Sequence, residues 1–284
     1  MELIYRVKKP ETIGRFIQEN NIPNKILELV NDKPKIEVNE KAKTKKSTVR
    51  KGDKIHFFIK DEERDPRVKS EDVKLDVVYE DPYMLIVNKP KNVQMMISKA
   101  HPEGTLANAI NHYYELNDIN SKIHYVTKLD REASGLIVVA KHKFIKYLLN
   151  NVNTIKYYMK IIVKGTLELK ESSIPLPIAR VEGSILREVS EKGEECLTTY
   201  KVLDEFNGYS LVEVSIENKL AHQVRVHFSY FFAPIVGDKL YGEATKEELM
   251  MFCNKLDFQN PITEENIHLE LIEPKHFKEF LANN

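Results

Sequence analysis

Apolar positions along residues 73–284 come in short runs broken by turn-forming residues. Runs at 85–87, 123–126, 136–140, 159–163, 210–216 and 223–228 read as strands, either continuously apolar or alternating with polar residues. Between them, 105–116, 143–150 and 246–256 read as helices. Elements mixed in this order predict an α+β domain built on a mixed sheet, and the pattern alone leaves the strand order open.

The N-terminal part reads differently. Ile13, Phe16, Ile17, Ile26, Leu27 and Val30 recur at helical spacing over 11–30, with Asn20-Asn21-Ile22-Pro23 as the break between two short helices. A short strand is expected over 35–39, a turn at Gly52-Asp53 and another strand over 54–59. Residues 61–72 hold Pro66, many charges and almost no large apolar side chain, which predicts a linker. The chain therefore divides into a small unit over 1–60, a charged linker over 61–72 and a larger domain over 73–284.

Composition narrows the class. Apolar residues make up 42% of the 284, enough for a packed core. No run approaches the roughly 18 residues of a membrane span, and the N-terminus lacks a signal-peptide pattern. Cys196 and Cys253 are the only cysteines, and no His or Cys has metal-ligand spacing, so neither a disulfide framework nor a metal site is expected. A cytoplasmic protein is the simple reading. The formal charge is zero, which argues against indiscriminate nucleic-acid binding. Its distribution is uneven: residues 1–60 hold 15 Lys and Arg against 8 Asp and Glu, the remainder 28 against 35. Lys41, Lys43, Lys45, Lys46, Arg50 and Lys51 crowd one stretch that can follow phosphates across an RNA groove.

The segment Lys128-Leu129-Asp130-Arg131-Glu132-Ala133-Ser134-Gly135 sits between two apolar runs. A carboxylate between two cations, at a strand end and before a Ser-Gly turn, is both held and exposed. Flanking cations favour its ionised form, and an ionised, positioned carboxylate is a candidate nucleophile. Taken alone, Asp before a turn is ordinary turn chemistry.

The segment resembles the active-site motif of the RluA-type pseudouridine synthases, H-R-L-D-R-x-T-S-G-L followed by an apolar strand ending in Ala-Lys. Leu129, Asp130, Arg131, Ser134, Gly135 and Leu136 match it. Three further blocks follow in the family's order: Val77 to Asp81 with Leu85 to Pro90, then Lys156-Tyr157-Tyr158, then His222-Gln223-Val224-Arg225-Val226-His227 with Pro234 to Asp238 and Leu240-Tyr241-Gly242. Ordered blocks over about residues 75 to 270 are far more specific than one motif. The resemblance implies a bent mixed sheet with a central cleft, and an isomerase that converts uridine to pseudouridine in RNA without an external cofactor. It implies Asp130 as nucleophile, Arg225 as the cation that pairs with it, and Tyr158, rather than its neighbour Tyr157, as the ring that stacks on the base. Lys128 and Arg131 would face the RNA. The N-terminal unit resembles the alpha-L RNA-binding module, which implies structured RNA as partner, ribosomal RNA first and tRNA second. No obligatory protein partner is evident.

The chain departs from the family pattern at Thr127-Lys128, Ala133 and Leu220-Ala221. Lysine at 128 keeps the charge of the family's arginine but loses its planar fork. These departures motivate a competing reading, an RNA-binding protein of the same fold without chemistry, against which the intact Asp130 and Arg225 stand. A glycosidase reading fares worse, since that chemistry needs a second carboxyl at a defined distance. Glu132 is expected to point away into solvent, Arg225 to sit on a strand face, and His222 and His227 to be hydrogen-bonded residues of a sheet.

Overall fold

The computed structural model describes residues 1–23, 36–151, 155–217, 220–243 and 245–284. Ile26, Leu27 and Val30, expected in a second N-terminal helix, lie outside the described residues. The chain opens with β1 (Glu2–Arg6), β2 (Glu11–Thr12), α1 (Ile13–Glu19), β3 (Ile36–Val38), β4 (Lys41–Ala42), β5 (Thr48–Val49) and β6 (Lys54–Phe58). β1, β6, β3 and β4 form one antiparallel sheet in that order, and β2 pairs with β5. In β1 the buried residues alternate, Leu3 and Tyr5 inward, and Tyr5 meets Phe16 and Phe57 edge-on. Thr12 starts α1 by accepting the Arg15 amide, and the described part of the helix ends at Asn20, as the break in apolar spacing predicts.

The larger part comprises β7 (Val77–Glu80), β8 (Met84–Lys89), α2 (Leu106–Leu116), β9 (His124–Tyr125), β10 (Ser134–Ala140), α3 (Lys143–Asn151), β11 (Lys156–Lys164), β12 (Glu171–Ile174), β13 (Ile178–Arg180), β14 (Arg187–Val189), β15 (Leu197–Phe206), β16 (Tyr209–Glu217), α4 (Gln223–Tyr230), β17 (Met251–Gln259), β18 (Asn266–Glu270) and α5 (Lys275–Asn283). One mixed sheet runs β12-β15-β16-β11-β17-β10-β8-β7, with β18 added on β17 and β9 on β10. β10 and β17 are parallel; the other pairs in this sheet are antiparallel. Every residue of β10 is buried, as befits a central strand covered on both faces. This is the mixed α+β architecture that the element pattern predicts. Among the described residues no helix is long and apolar enough to cross a membrane.

Two expectations are corrected. Residues 223–228 are the buried helix α4, not a strand. Their apolar and polar residues do alternate, but all six are buried, so the polar side chains find partners inside the fold and the alternation marks no face. The stretch 246–256 is not a helix; its second half begins β17, whose run Met251 to Asn254 fills the sheet centre. Residues 61–72 carry no helix or strand, and they bond to the larger part. Val68 is buried, its carbonyl accepts from Asn111, the Lys69 carbonyl accepts from Asn108, and Glu71 takes the Gly104 amide. Polarity makes this stretch look like a tether, whereas its backbone is what α2 reads. Glu62 meets His124 and Lys143, and the hydrophobic core continues from the N-terminal sheet into the large one.

Candidate active site

Asp130 lies on the loop between β9 and β10, and two devices fix that loop. Thr127 Oγ1 accepts the Val138 amide at 2.8 Å, anchoring its first half to β10. Lys89, fully buried at the end of β8, donates to the carbonyls of Pro90 (2.9 Å), Arg131 (3.0 Å) and Ala133 (2.7 Å), anchoring its second half. All three ammonium protons are thereby used. The loop enters β10 through Gly135, whose φ of +114° and packing against the Cys253 backbone leave no room for a Cβ.

Burial pulls the Lys89 ammonium down to about 8 from its usual 10.5, against the opposing pull of Glu132 and Asp130. Between those two values the folded chain binds fewer protons than the unfolded one. Stability is therefore lowest below pH 8 with respect to this group and rises through the window from 8 to 10.5, by about 3 kcal/mol in full. Lys89→Met is expected to flatten that rise in urea denaturation followed across the window.

Arg225 comes from the first turn of α4 and is only 2% exposed. Its Nη1 donates to Asp130 Oδ2 at 2.9 Å. On the other side Nε and Nη2 donate to Asp238 Oδ2 (2.9 Å) and Oδ1 (2.6 Å), a two-point grip. Burial works against the guanidinium charge, but Asp238 and Asp130 outweigh it and hold its pKa above the usual value. Burial likewise opposes the Asp238 carboxylate. Arg225 and the amides of Leu240 and Tyr241 overcome this and keep its pKa below the ordinary range. The Tyr241 ring lies 5.5 Å from the guanidinium carbon. Arg225 is therefore a rigid post, clamped behind by Asp238 and presented forward to Asp130.

Beside Asp130 opens a slot of about 50 Å3, lined among others by Lys128, Tyr157, Met159, Leu220 and His222. That is room for a few waters, at roughly 10–15 Å3 each. The structure thus brings Asp130 and Arg225 together and sets exposed Lys128 on the slot. Exposed Arg131 offers its carbonyl to Lys89.

Tyr158 stands apart from the slot. It lies across β11, with the Lys255 ammonium 4.5 Å from its ring centre. Tyr157, one residue earlier and 5% exposed, shares the slot's face with Met159. Alternation along a strand puts neighbours on opposite faces, so a one-residue error in register exchanges them. The strand is also irregular between Tyr158 and Met159. Glu132 does not point away: its Oε2 stands 3.8 Å from Arg225 Nη1. His222 and His227 belong to α4 and its N-cap rather than a sheet. His227 bonds to Thr198 Oγ1 and the Leu176 carbonyl, and His222 turns to Tyr241 and Asp130. Lys41, Lys43, Lys45, Lys46, Arg50 and Lys51 are all exposed on the N-terminal part.

Sequence reasoning missed the work of Lys89 and Asp238. Both stand in the blocks quoted above, in Asn88-Lys89-Pro90 and Gly237-Asp238. For Lys89 the available signal was a lysine closing a strand just beyond the apolar run 84–87, since a cation buried there needs acceptors.

Comparison with known proteins gives this geometry a family. The family pattern described as RNA pseudouridylate synthase matches residues 83–230. An uncharacterised RNA pseudouridine synthase of Bacillus subtilis, YjbO, is 30% identical over 253 residues, covering 87% of this chain and 89% of its own. Ribosomal large subunit pseudouridine synthase D of Vibrio parahaemolyticus is 28% identical over 262 residues, covering 84% and 80%. In structure, human RNA pseudouridylate synthase domain containing 1 superposes with a TM-score of 0.59 at 21% identity, over 71% of this chain and 84% of that one, which shows a shared fold. Since the pattern spans more than half of the sequence and the Bacillus relative matches nearly all of it, the chain belongs to the RluA-type RNA pseudouridylate synthases, isomerases that act on uridine in RNA.

Proposed function

We propose that this enzyme isomerises a uridine of ribosomal RNA, with Asp130 as the nucleophile and Tyr157 as the ring against the base. The observation that carries the reading is the division of labour on Asp130. One carboxylate oxygen is tied to a buried guanidinium, and the residue lines the slot with 18% of its side chain exposed. A carboxylate so held is fixed in one orientation with one oxygen left to the slot, which is what nucleophilic attack on a nucleotide requires.

The reaction exchanges bonds within one nucleotide. The bond from C1′ to N1 breaks, a bond from C1′ to C5 forms, C5 gives up a proton and N1 gains one. No oxidant, reductant or energy source enters. The slot as it stands takes waters rather than a ring, so seating an extruded pyrimidine parts its rims, of which Lys128 is one. A flipped base stacks well on an aromatic face, and Tyr157 is the tyrosine on that wall.

Support for ribosomal RNA comes from the name of the Vibrio relative and from the basic stripe on the N-terminal part, which suits the phosphates of a structured RNA. The test is incubation of the purified chain with total RNA from a strain lacking it, followed by pseudouridine mapping. A new site in large-subunit ribosomal RNA is the expected result; modification confined to tRNA overturns the substrate, and none at all overturns the reading. On the mapped site, Tyr157→Ala is expected to lower kcat by about 100-fold and Tyr158→Ala by less than about threefold. The reverse order would return the role to Tyr158.

A further inference from the structure

The N-terminal residue of the active-site helix is held in a conformation that its own helix does not need. His222 is the N-cap of α4, with φ of +60° and ψ of 11°, the left-handed region that an L residue enters at a cost. An N-cap side chain ordinarily accepts an amide of the first turn. His222 makes no such bond. Its ring instead stands against Tyr241, with Nδ1 2.8 Å from the Tyr241 hydroxyl, and Nε2 lies 4.0 Å from Asp130 Oδ1.

The hydrogen-bond order decides which ring nitrogen carries the proton. The Arg187 backbone amide can only donate, and it donates to the Tyr241 hydroxyl at 2.9 Å. The hydroxyl's own proton is then placed to reach its other hydrogen-bonding partner, His222 Nδ1. That leaves neutral His222 with its proton on Nε2, the nitrogen facing Asp130. Two other polar side chains on the slot, Gln223 and Thr127, serve the scaffold. Gln223 donates to the Leu197 carbonyl and Thr198, and Thr127 accepts from Val138.

We infer that His222 is a positioning residue for the reaction: with its tautomer set by Tyr241, its Nε2–H steers the Asp130 oxygen that Arg225 leaves unbound. Arg225 fixes Oδ2 and His222 faces Oδ1, so rotation of the carboxylate about its terminal bond is opposed from both ends. At 4.0 Å the contact is electrostatic guidance rather than a hydrogen bond, which leaves Oδ1 its lone pairs for attack. Backbone strain at residue 222 is the cost of bringing the ring to this place.

This inference rests on Asp130 being the nucleophile, and the experiment separates the two. Steady-state kinetics of the full chain on its mapped RNA would compare His222→Asn, His222→Gln, Tyr241→Phe and Asp130→Asn. Asparagine tolerates the left-handed backbone but ends short of Asp130, so kcat should fall about 10- to 100-fold with KM nearly unchanged. Glutamine places an N–H near the Nε2 position and should recover most of that loss. Tyr241→Phe frees the tautomer and should cost kcat less than His222→Asn does, which keeps the idea testable should a residue-222 variant fold poorly. A kcat for His222→Asn within about threefold of the parent, a loss confined to KM, or equal losses for Asn and Gln would each overturn it. Turnover surviving Asp130→Asn would instead overturn the nucleophile reading itself.

Discussion

Asp130→Asn is expected to reduce pseudouridine formation by at least about 10,000-fold while leaving the fold intact. Asparagine has nearly the same shape, so the loop held by Lys89 and Thr127 has no reason to move. Its amide oxygen can still accept from Arg225, and that guanidinium keeps its two-point contact with Asp238. The loss is therefore chemical: a neutral amide is a far weaker nucleophile than a carboxylate. Single-turnover assays with enzyme in excess isolate this step from RNA binding, and circular dichroism checks the fold. A rate within tenfold of the parent would remove Asp130 from the mechanism.

Asp238→Ala should be the most damaging change to stability, at about 3–5 kcal/mol, because it strips the main counter-charge from a buried guanidinium. Arg225 is 2% exposed and Asp238 1%, so neither water nor salt can compensate. The same substitution orphans the amides of Leu240 and Tyr241, which share Asp238 Oδ1. In a chain of this size the loss corresponds to a fall in Tm on the order of 10 °C. Activity should fall with it, since an unclamped Arg225 can no longer present Asp130 in one orientation. Because the Asp238 pKa lies below its ordinary 3.8, its contribution is present above that value and is lost as pH falls through the lower folded one. Equal melting temperatures for parent and variant at pH 7 would show that Arg225 draws its support from elsewhere.

The sequence made some of this structure legible and hid the rest for identifiable reasons. The long apolar runs at 136–140, 159–163 and 210–216 lie within strands because β-branched runs of that length favour extended, buried backbone. The helix expected over 105–116 is α2, and its N-cap Thr105 forms a full capping box with Asn108. The strand β1 was missed because Leu3, Tyr5 and Val7 alternate at the very start of the chain without an adjoining turn signal. α4 was misread because alternation of polar and apolar residues looks alike in a half-buried strand and in a helix buried on every side. At the site, Asp130 and Arg225 could be paired from motif resemblance alone. Which of two adjacent tyrosines enters the slot depends on strand register, a property of pairing with β16 and β17 that no local pattern carries. The rear supports, Lys89 and Asp238, bond to groups 42 and 13 residues away, so their work becomes visible only after folding.

Gly135 brings the first residues of β10 against the Cys253 backbone without an intervening side chain, and Met251 and Cys253 line the same slot as Asp130. At this point the two strands are spaced by main chain alone. No side chain fits at Gly135 without parting them, whereas rim positions such as 128 and 220 carry no such constraint. Divergence at the entrance therefore leaves this backbone contact, and the strand spacing it sets beside Asp130, as they are.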